Sequence, residues 1–332
     1  MLMETVVSGI RPTGKLHLGN YFGAYKNFLT LQDSHRCYFF IADYHSLTTH
    51  PNPADLRKNA LHVLAEYIAL GLDPEKCAIY LQSDLPETSE LYLFMAMNAY
   101  KGELERVTSF KDKIKDNPNN INAGLLTYPV LMAADILIHH GTKVPVGKDQ
   151  EQHLEMARTF GNRFNRIYDT NYFAEPTAFN FNNKLVKVPG LSGTGKMSKS
   201  AGEADCIYLC DDSKTLEKKI KRAKTDAGPS APHSEMSPEI KNLFDLMALV
   251  STNETCSFFE EEHAKASIRY GDFKGQLAKD MEAFIAPKRE AILGLVGDTK
   301  KLNSIAQLGK EKAHASGAKT LKEVRKIIGF GS

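Results

Sequence analysis

The first half of the chain alternates between two hydrophobic periods, and this alternation narrows the fold more than any other feature. Apolar runs of strand length at 5–10, 37–42, 78–82 and 143–146 are separated by stretches with helical spacing. Strands that read as nearly continuous apolar runs are covered on both faces, and interleaved helices supply that cover in a parallel sheet. The stretch 53–70 shows the helix grammar: Asn52 as N-cap, Pro53 at the first helical position and Gly71 as the stop. After about residue 210 the strand signal ends, and 213–224, 238–250, 273–295 and 319–328 read as helices. The expected class is α/β: a doubly wound parallel sheet over 1–210, then a helical domain over 211–332, with a Gly-, Pro- and Ser-rich linker at 225–237.

With 332 residues, the chain is long enough for two cores. No run reaches the roughly 18 apolar residues of a membrane span, and the N-terminus has no basic, apolar, small-residue leader, so the expected compartment is the cytoplasm. Five cysteines (Cys37, Cys77, Cys206, Cys210, Cys256) are an odd number without paired metal-ligand spacing, and read as reduced thiols with no metal site. His139 and His140 likewise find no second ligand cluster. The net charge of +2 argues for no partner, but its distribution is uneven. Residues 300–332 hold eight basic side chains against two acidic ones, and Lys214, Lys218, Lys219, Lys221, Arg222 and Lys224 form a second basic run. Both fit a phosphate-backbone contact or a solvated helix face.

Four segments carry chemistry. The first strand runs through Arg11, Pro12, Thr13, Gly14, Lys15, Leu16, His17, Leu18, Gly19 and Asn20 into a helix. A strand end meeting a helix start is where open sheets bind nucleotides, with His17 and Asn20 as donors to phosphate and Gly19 allowing close approach. A polar turn that merely caps the helix explains the same residues. In the second segment, residues 190–196 match the opening of a P-loop, but the place that needs a magnesium-binding hydroxyl holds Met197. In the third, residues 124–137, Tyr128, Met132 and Asp135 share one helix face. A lone carboxylate among apolar neighbours requires a donor, from the protein or from a ligand. The fourth, residues 144–153, again couples a strand end to a helix start.

These segments together resemble the tryptophanyl branch of the class I aminoacyl-tRNA synthetases. His17-Leu18-Gly19-Asn20 is similar to the first class I signature (HIGH), with Asn20 where the generic form has histidine, and Lys196-Met197-Ser198-Lys199-Ser200 matches the second (KMSKS) in full. The stretches 102–113 and 124–150 resemble the same branch. The resemblance implies a Rossmann-like catalytic domain with a helical insertion, an anticodon-binding helical domain, and a homodimer. It implies ATP with Mg²⁺, tryptophan and tRNA(Trp) as partners, and no membrane. Lys196, Lys199, Lys111 and Lys113 would meet the triphosphate. Arg11, Thr13, His17, Gly19, Asn20, Gly147, Asp149, Gln150, Met197 and Ser198 would bind ATP. Asp135 would accept the indole N–H, among Tyr128, Met132, His45, Val144, Val146, Gln150 and Val7. Arg11 and Val7 depart from the glutamine and the aromatic of well-studied members. A tyrosyl-tRNA synthetase, a P-loop kinase and a non-catalytic RNA-binding module stay open at this point.

Overall fold

The computed structural model describes residues 3–116, 118–145, 147, 151–179, 186–193 and 195–331, without the side chains of Ser109, Lys113, Asp116 and Ser200. The chain divides into two compact units. Met1–Gly14, Leu29–Asn183 and Asp298–Ser332 form one; Lys15–Phe28 and Lys184–Gly297 form the other.

The first unit is built on five parallel strands, β1 (Thr5–Ile10), β2 (Arg36–Ile41), β3 (Ala78–Leu81), β4 (Lys143–Val144) and β5 (Thr177–Ala178), in the order β3-β2-β1-β4-β5. Five of the six residues of β2 are buried, as expected for a strand covered on both faces. The covering helices are α1 (Pro53–Ala69), α2 (Pro86–Met97), α3 (Ala123–Leu137) and α4 (Glu151–Ile167). Asn52 caps α1 by accepting the N–H groups of Ala54 and Asp55, and Asn122 caps α3 at Leu125. The connections lead one way from β1 to β2 and β3, and the other way to β4 and β5. The order therefore reverses between β1 and β4, and the crevice at a doubly wound sheet's switch point opens at their carboxyl ends.

The second unit is mainly helical: α5 (Ser213–Arg222), α6 (Pro238–Val250), α7 (Asn253–Ala264) and α8 (Tyr270–Gly297). Its core holds Phe244 stacked on Phe273 at 4.5 Å, with Phe259 edge-on to Phe273.

The last helix, α9 (Thr299–Ile327), belongs to the first unit. Sequence spacing marks only 319–328 there. In the missing part only Leu302 and Ile305 are large buried apolar residues, and the buried face then continues as a stripe of small ones, Gly309, Ala313 and Gly317, which does not announce a helix. That stripe is what allows close packing: a Cβ at Gly309 would stand 1.8 Å from the Ile79 carbonyl oxygen, and one at Gly317 2.9 Å from Leu85 Cδ1. Lys312 fastens the same helix by donating to the Pro74 and Glu75 carbonyls at 2.5 and 2.7 Å.

Candidate active site

A cavity of about 410 Å³ opens in the first unit at the switch point. The end of β1 supplies Val7, Ser8, Gly9 and Arg11 to its wall, and the end of β4 supplies Val144, Pro145 and Gly147. Tyr128, Met132 and Ile136 come from one face of α3, His45 and Thr48 from the turns after β2, and His153 from α4. Gly9 is required: a Cβ there would meet the Phe40 ring, another wall group, at 2.4 Å. Val7 and Val144 are buried strand residues and wall residues at once.

Asp135 is 2% exposed and sits beside this wall. Its Oδ2 accepts from His45 Nε2 at 2.9 Å, and Gln82 Nε2 lies 2.8 and 2.9 Å from Oδ1 and Oδ2. Burial raises the carboxyl's pKa, and the bonds from His45 and Gln82 pull it back down. Gln82 also accepts the His45 backbone N–H at 3.3 Å. Across the cavity, the Tyr128 hydroxyl lies 2.5 Å from His153 Nε2. Arg11 reaches Thr49 Oγ1 at 3.4 Å, while its Nε is buried without a partner among the described residues. Burial lowers the Arg11 pKa.

The two signature segments meet in the second unit. His17 is the N-cap of the helical turn at Leu18–Asn20: its Nδ1 accepts the Asn20 N–H at 3.3 Å, and Asn20 Oδ1 accepts the His17 N–H at 3.2 Å. Asn20 thus closes a capping box, so the capping role considered for this turn is real. It also sets the chemistry of His17. Burial first, and then Lys199, lower the imidazole's pKa to about 4. The ring is neutral near pH 7, and with Nδ1 accepting, its proton is on Nε2, a donor. Gly19 leaves room for the His17 ring: a Cβ there would stand 2.9 Å from that ring and in ordinary contact, 3.5 Å, with Met197 Cβ.

Pro189 and Lys196 are joined by an antiparallel bridge, and Met197 N–H donates to the Val188 carbonyl at 2.8 Å. Gly190 packs on Asp205, where a Cβ would stand 2.3 Å from Oδ2, and Gly193 holds φ +84°. Only short 3-10 turns, Lys199–Ala201 and Glu203–Asp205, follow. A P-loop needs a strand directly before it and a helix directly after it, and among the described residues neither is present, so the kinase reading falls. Lys196 is exposed, and Lys199 and Ser198 are half-buried.

Lys111 is exposed on the helix Thr108–Asp116, and Thr13 is exposed beyond β1. The 102–106 segment is anchored by buried Arg163, which donates to Glu103 Oε1 and the Asn98 carbonyl, both at 2.6 Å. Val146, Asp149 and Gln150 lie outside the described residues, as does the Lys113 side chain. Sequence reasoning gave no role to Gln82, which immediately follows β3, or to His153, the last residue of the 144–153 stretch. Their positions at a strand end and a helix start were the available signal.

The model of the class I tRNA synthetases for tryptophan and tyrosine (W and Y) matches residues 3–286, and the chain belongs to that family. It is 57% identical over 328 residues to a tryptophan–tRNA ligase of Porphyromonas gingivalis, covering 99% of this chain and 100% of that one. With the tryptophan–tRNA ligase of Clostridium perfringens it shares 40% identity over 98% of both chains. Among solved structures it is similar to the tryptophanyl-tRNA synthetase of Campylobacter jejuni complexed with ADP and tryptophan, at a TM-score of 0.89 and 34% identity, covering 98% of this chain and 99% of that one.

Proposed function

We infer that this chain is a tryptophan–tRNA ligase, an ATP-dependent enzyme that activates tryptophan and transfers it to tRNA(Trp). The observation that carries the reading is the 57% identity over the full chain, joined to a pocket whose wall residues flank a buried carboxylate. An indole N–H only donates, so a selective pocket needs an acceptor, and Asp135 is that acceptor. Tyr128, Met132, His45, Val144, Val146, Gln150 and Val7 complete the tryptophan site. The tyrosyl alternative would require partners for a hydroxyl that both donates and accepts.

In the first step the tryptophan carboxylate attacks the α-phosphorus of ATP, forming tryptophanyl-adenylate and expelling pyrophosphate. No protein nucleophile is needed, because orientation and cationic stabilisation of the leaving group do the chemistry. Lys196 and Lys199, with Lys111 and Lys113, meet the developing charge. His17 Nε2–H donates to phosphate oxygen, while Asn20, Arg11, Thr13, Gly19, Gly147, Asp149, Gln150, Met197 and Ser198 border the nucleotide. These groups are mostly cations, amides and hydroxyls, a poor ligand set for a resident Mg²⁺; an ion carried by the ATP phosphates would supply charge neutralisation. In the second step a terminal ribose hydroxyl of the tRNA, the 2′-OH, attacks the adenylate's carbonyl and releases AMP.

The helices within 211–332 hold the anticodon, although the last of them, α9, packs on the sheet unit, and 1–210 carries the chemistry. The enzyme works as a homodimer in the cytoplasm. The test is aminoacylation of total tRNA with each labelled amino acid: charging by tryptophan alone, onto tRNA(Trp), is expected. Charging by tyrosine, or by none, overturns the reading.

A further inference from the structure

Asp135 is held by more than the His45 bond, and the second holder has no part in the reaction described above. Gln82 is 1% exposed and lies in a 3-10 turn, Gln82–Asp84, directly after β3. The turn cannot drift, because the next residue, Ser83, donates its backbone N–H to Asp43 Oδ1 at 3.0 Å and its hydroxyl to Asp43 Oδ2 at 2.5 Å. Asp43 opens the short helix Asp43–Ser46 that carries His45, and Gln82 Oε1 accepts the His45 backbone N–H. One network therefore fixes His45 and Gln82 together. With Oε1 committed to that N–H, the Gln82 amide nitrogen must face Asp135, where it lies within 2.9 Å of both carboxylate oxygens.

An ionised carboxylate offers about four lone-pair directions. Gln82 Nε2 spans both oxygens, and His45 Nε2 takes a further place on Oδ2. Among the described residues no other donor bonds Asp135, so acceptor capacity is left on Oδ1. We propose that Gln82 is a specificity-determining positioning residue: its amide clamps Asp135 between β3 and α3 so that Oδ1 keeps one acceptor site for the N–H of an indole. Without the clamp the carboxylate can rotate toward His45 and satisfy itself internally, and the pocket loses its means of telling an N–H from an isostere that lacks one. The proposal rests on the tryptophan reading of the cavity and adds the residue that keeps its acceptor aimed.

The experiment compares ATP–pyrophosphate exchange with L-tryptophan and with 3-benzothienyl-L-alanine, in which sulphur replaces the indole N–H, for wild type and Gln82→Met. The preference of the wild type for tryptophan is expected to fall roughly 10- to 100-fold in the variant, the range of a hydrogen bond to a charged group. The loss should appear in KM for tryptophan, with kcat nearly kept and the analogue's kcat/KM little changed. A Gln82 that only supports the fold would weaken both substrates alike, and an unchanged preference ratio would overturn the proposal. If Gln82→Met does not fold, Gln82→Asn, which keeps the amide but shortens its reach, is measured in the same way with the same expectation. The two readings fail separately: a wild type that exchanges with no tryptophan sinks the substrate assignment, whereas normal wild-type exchange with an unchanged ratio in the variants sinks only the role of Gln82.

Discussion

At the scale of single residues, the site is a set of polar groups whose states are fixed by their neighbours. In the proposed mechanism Lys196 and Lys199 act on charge that develops only as pyrophosphate leaves, so Lys199→Ala and Lys196→Ala should each lower kcat for exchange by roughly 10²-fold or more with smaller changes in KM. Steady-state exchange at varied ATP checks this, and a pure KM effect would contradict it. His139 makes a different prediction. It is fully enclosed, stacked 3.9 Å from Tyr38, with Nε2 2.8 Å from the Tyr80 hydroxyl and Nδ1 3.1 Å from Ser316 Oγ, and burial lowers its pKa to about 3. The folded chain refuses a proton that the unfolded chain takes near pH 6.5, so this residue costs nothing above that pH. Its penalty grows as pH falls from about 6.5 towards 3, at no more than about 1.4 kcal/mol for each tenfold change in proton affinity. Urea unfolding at pH 7.5 and pH 5 should show a smaller loss for His139→Gln than for wild type; equal losses would exclude His139 as a source. Sequence showed which residue types were present and near strand ends, but not these partners. Asp135 was legible as a carboxylate in need of a donor, whereas its donors stand 90 and 53 residues away in the chain. A contact of that separation leaves no periodic trace.

At the scale of elements, legibility followed the strength of the hydrophobic period. β2 and β3 were readable to within a residue because their apolar runs are nearly continuous, β1 through Val6, Val7 and Ile10, and α6 because Ser237 and Pro238 mark its start. β5, with two residues and one face exposed, carried no such run. α9 was hidden over its first 20 residues because, after Leu302 and Ile305, its buried face continues through Gly309, Ala313 and Gly317 and breaks the large-apolar period. That stripe is also the element's weak point. Gly309→Ala drives a methyl group into the Ile79 carbonyl, a backbone atom that cannot step aside, and should cost about 3 kcal/mol or more. Gly294→Ala, with open space around it, should be neutral or stabilising. Thermal and urea unfolding of both variants measure the difference, and equal stability would mean that α9 is not seated on β3 as described.

At the scale of the whole molecule, the doubly wound sheet places a pocket at its switch point, and the two signature segments converge within the second unit. The order of motifs along the chain put both signatures in the domain 1–210, whereas here they group with 184–297 in the second unit, and α9 returns to the sheet unit. The chain contains no tryptophan. Synthesis of an enzyme that loads tryptophan is then independent of its own product, and ribosome density on its message should hold under tryptophan starvation; a fall matching that of tryptophan-rich proteins would contradict this. The central claim is that Asp135 reads an indole N–H during ATP-dependent activation. The most direct measurement is ATP–pyrophosphate exchange with each amino acid in turn, for wild type and Asp135→Ala. Exchange with tryptophan alone, largely lost in the variant, is the predicted result, whereas exchange with tyrosine, or tryptophan exchange that survives Asp135→Ala intact, would contradict it.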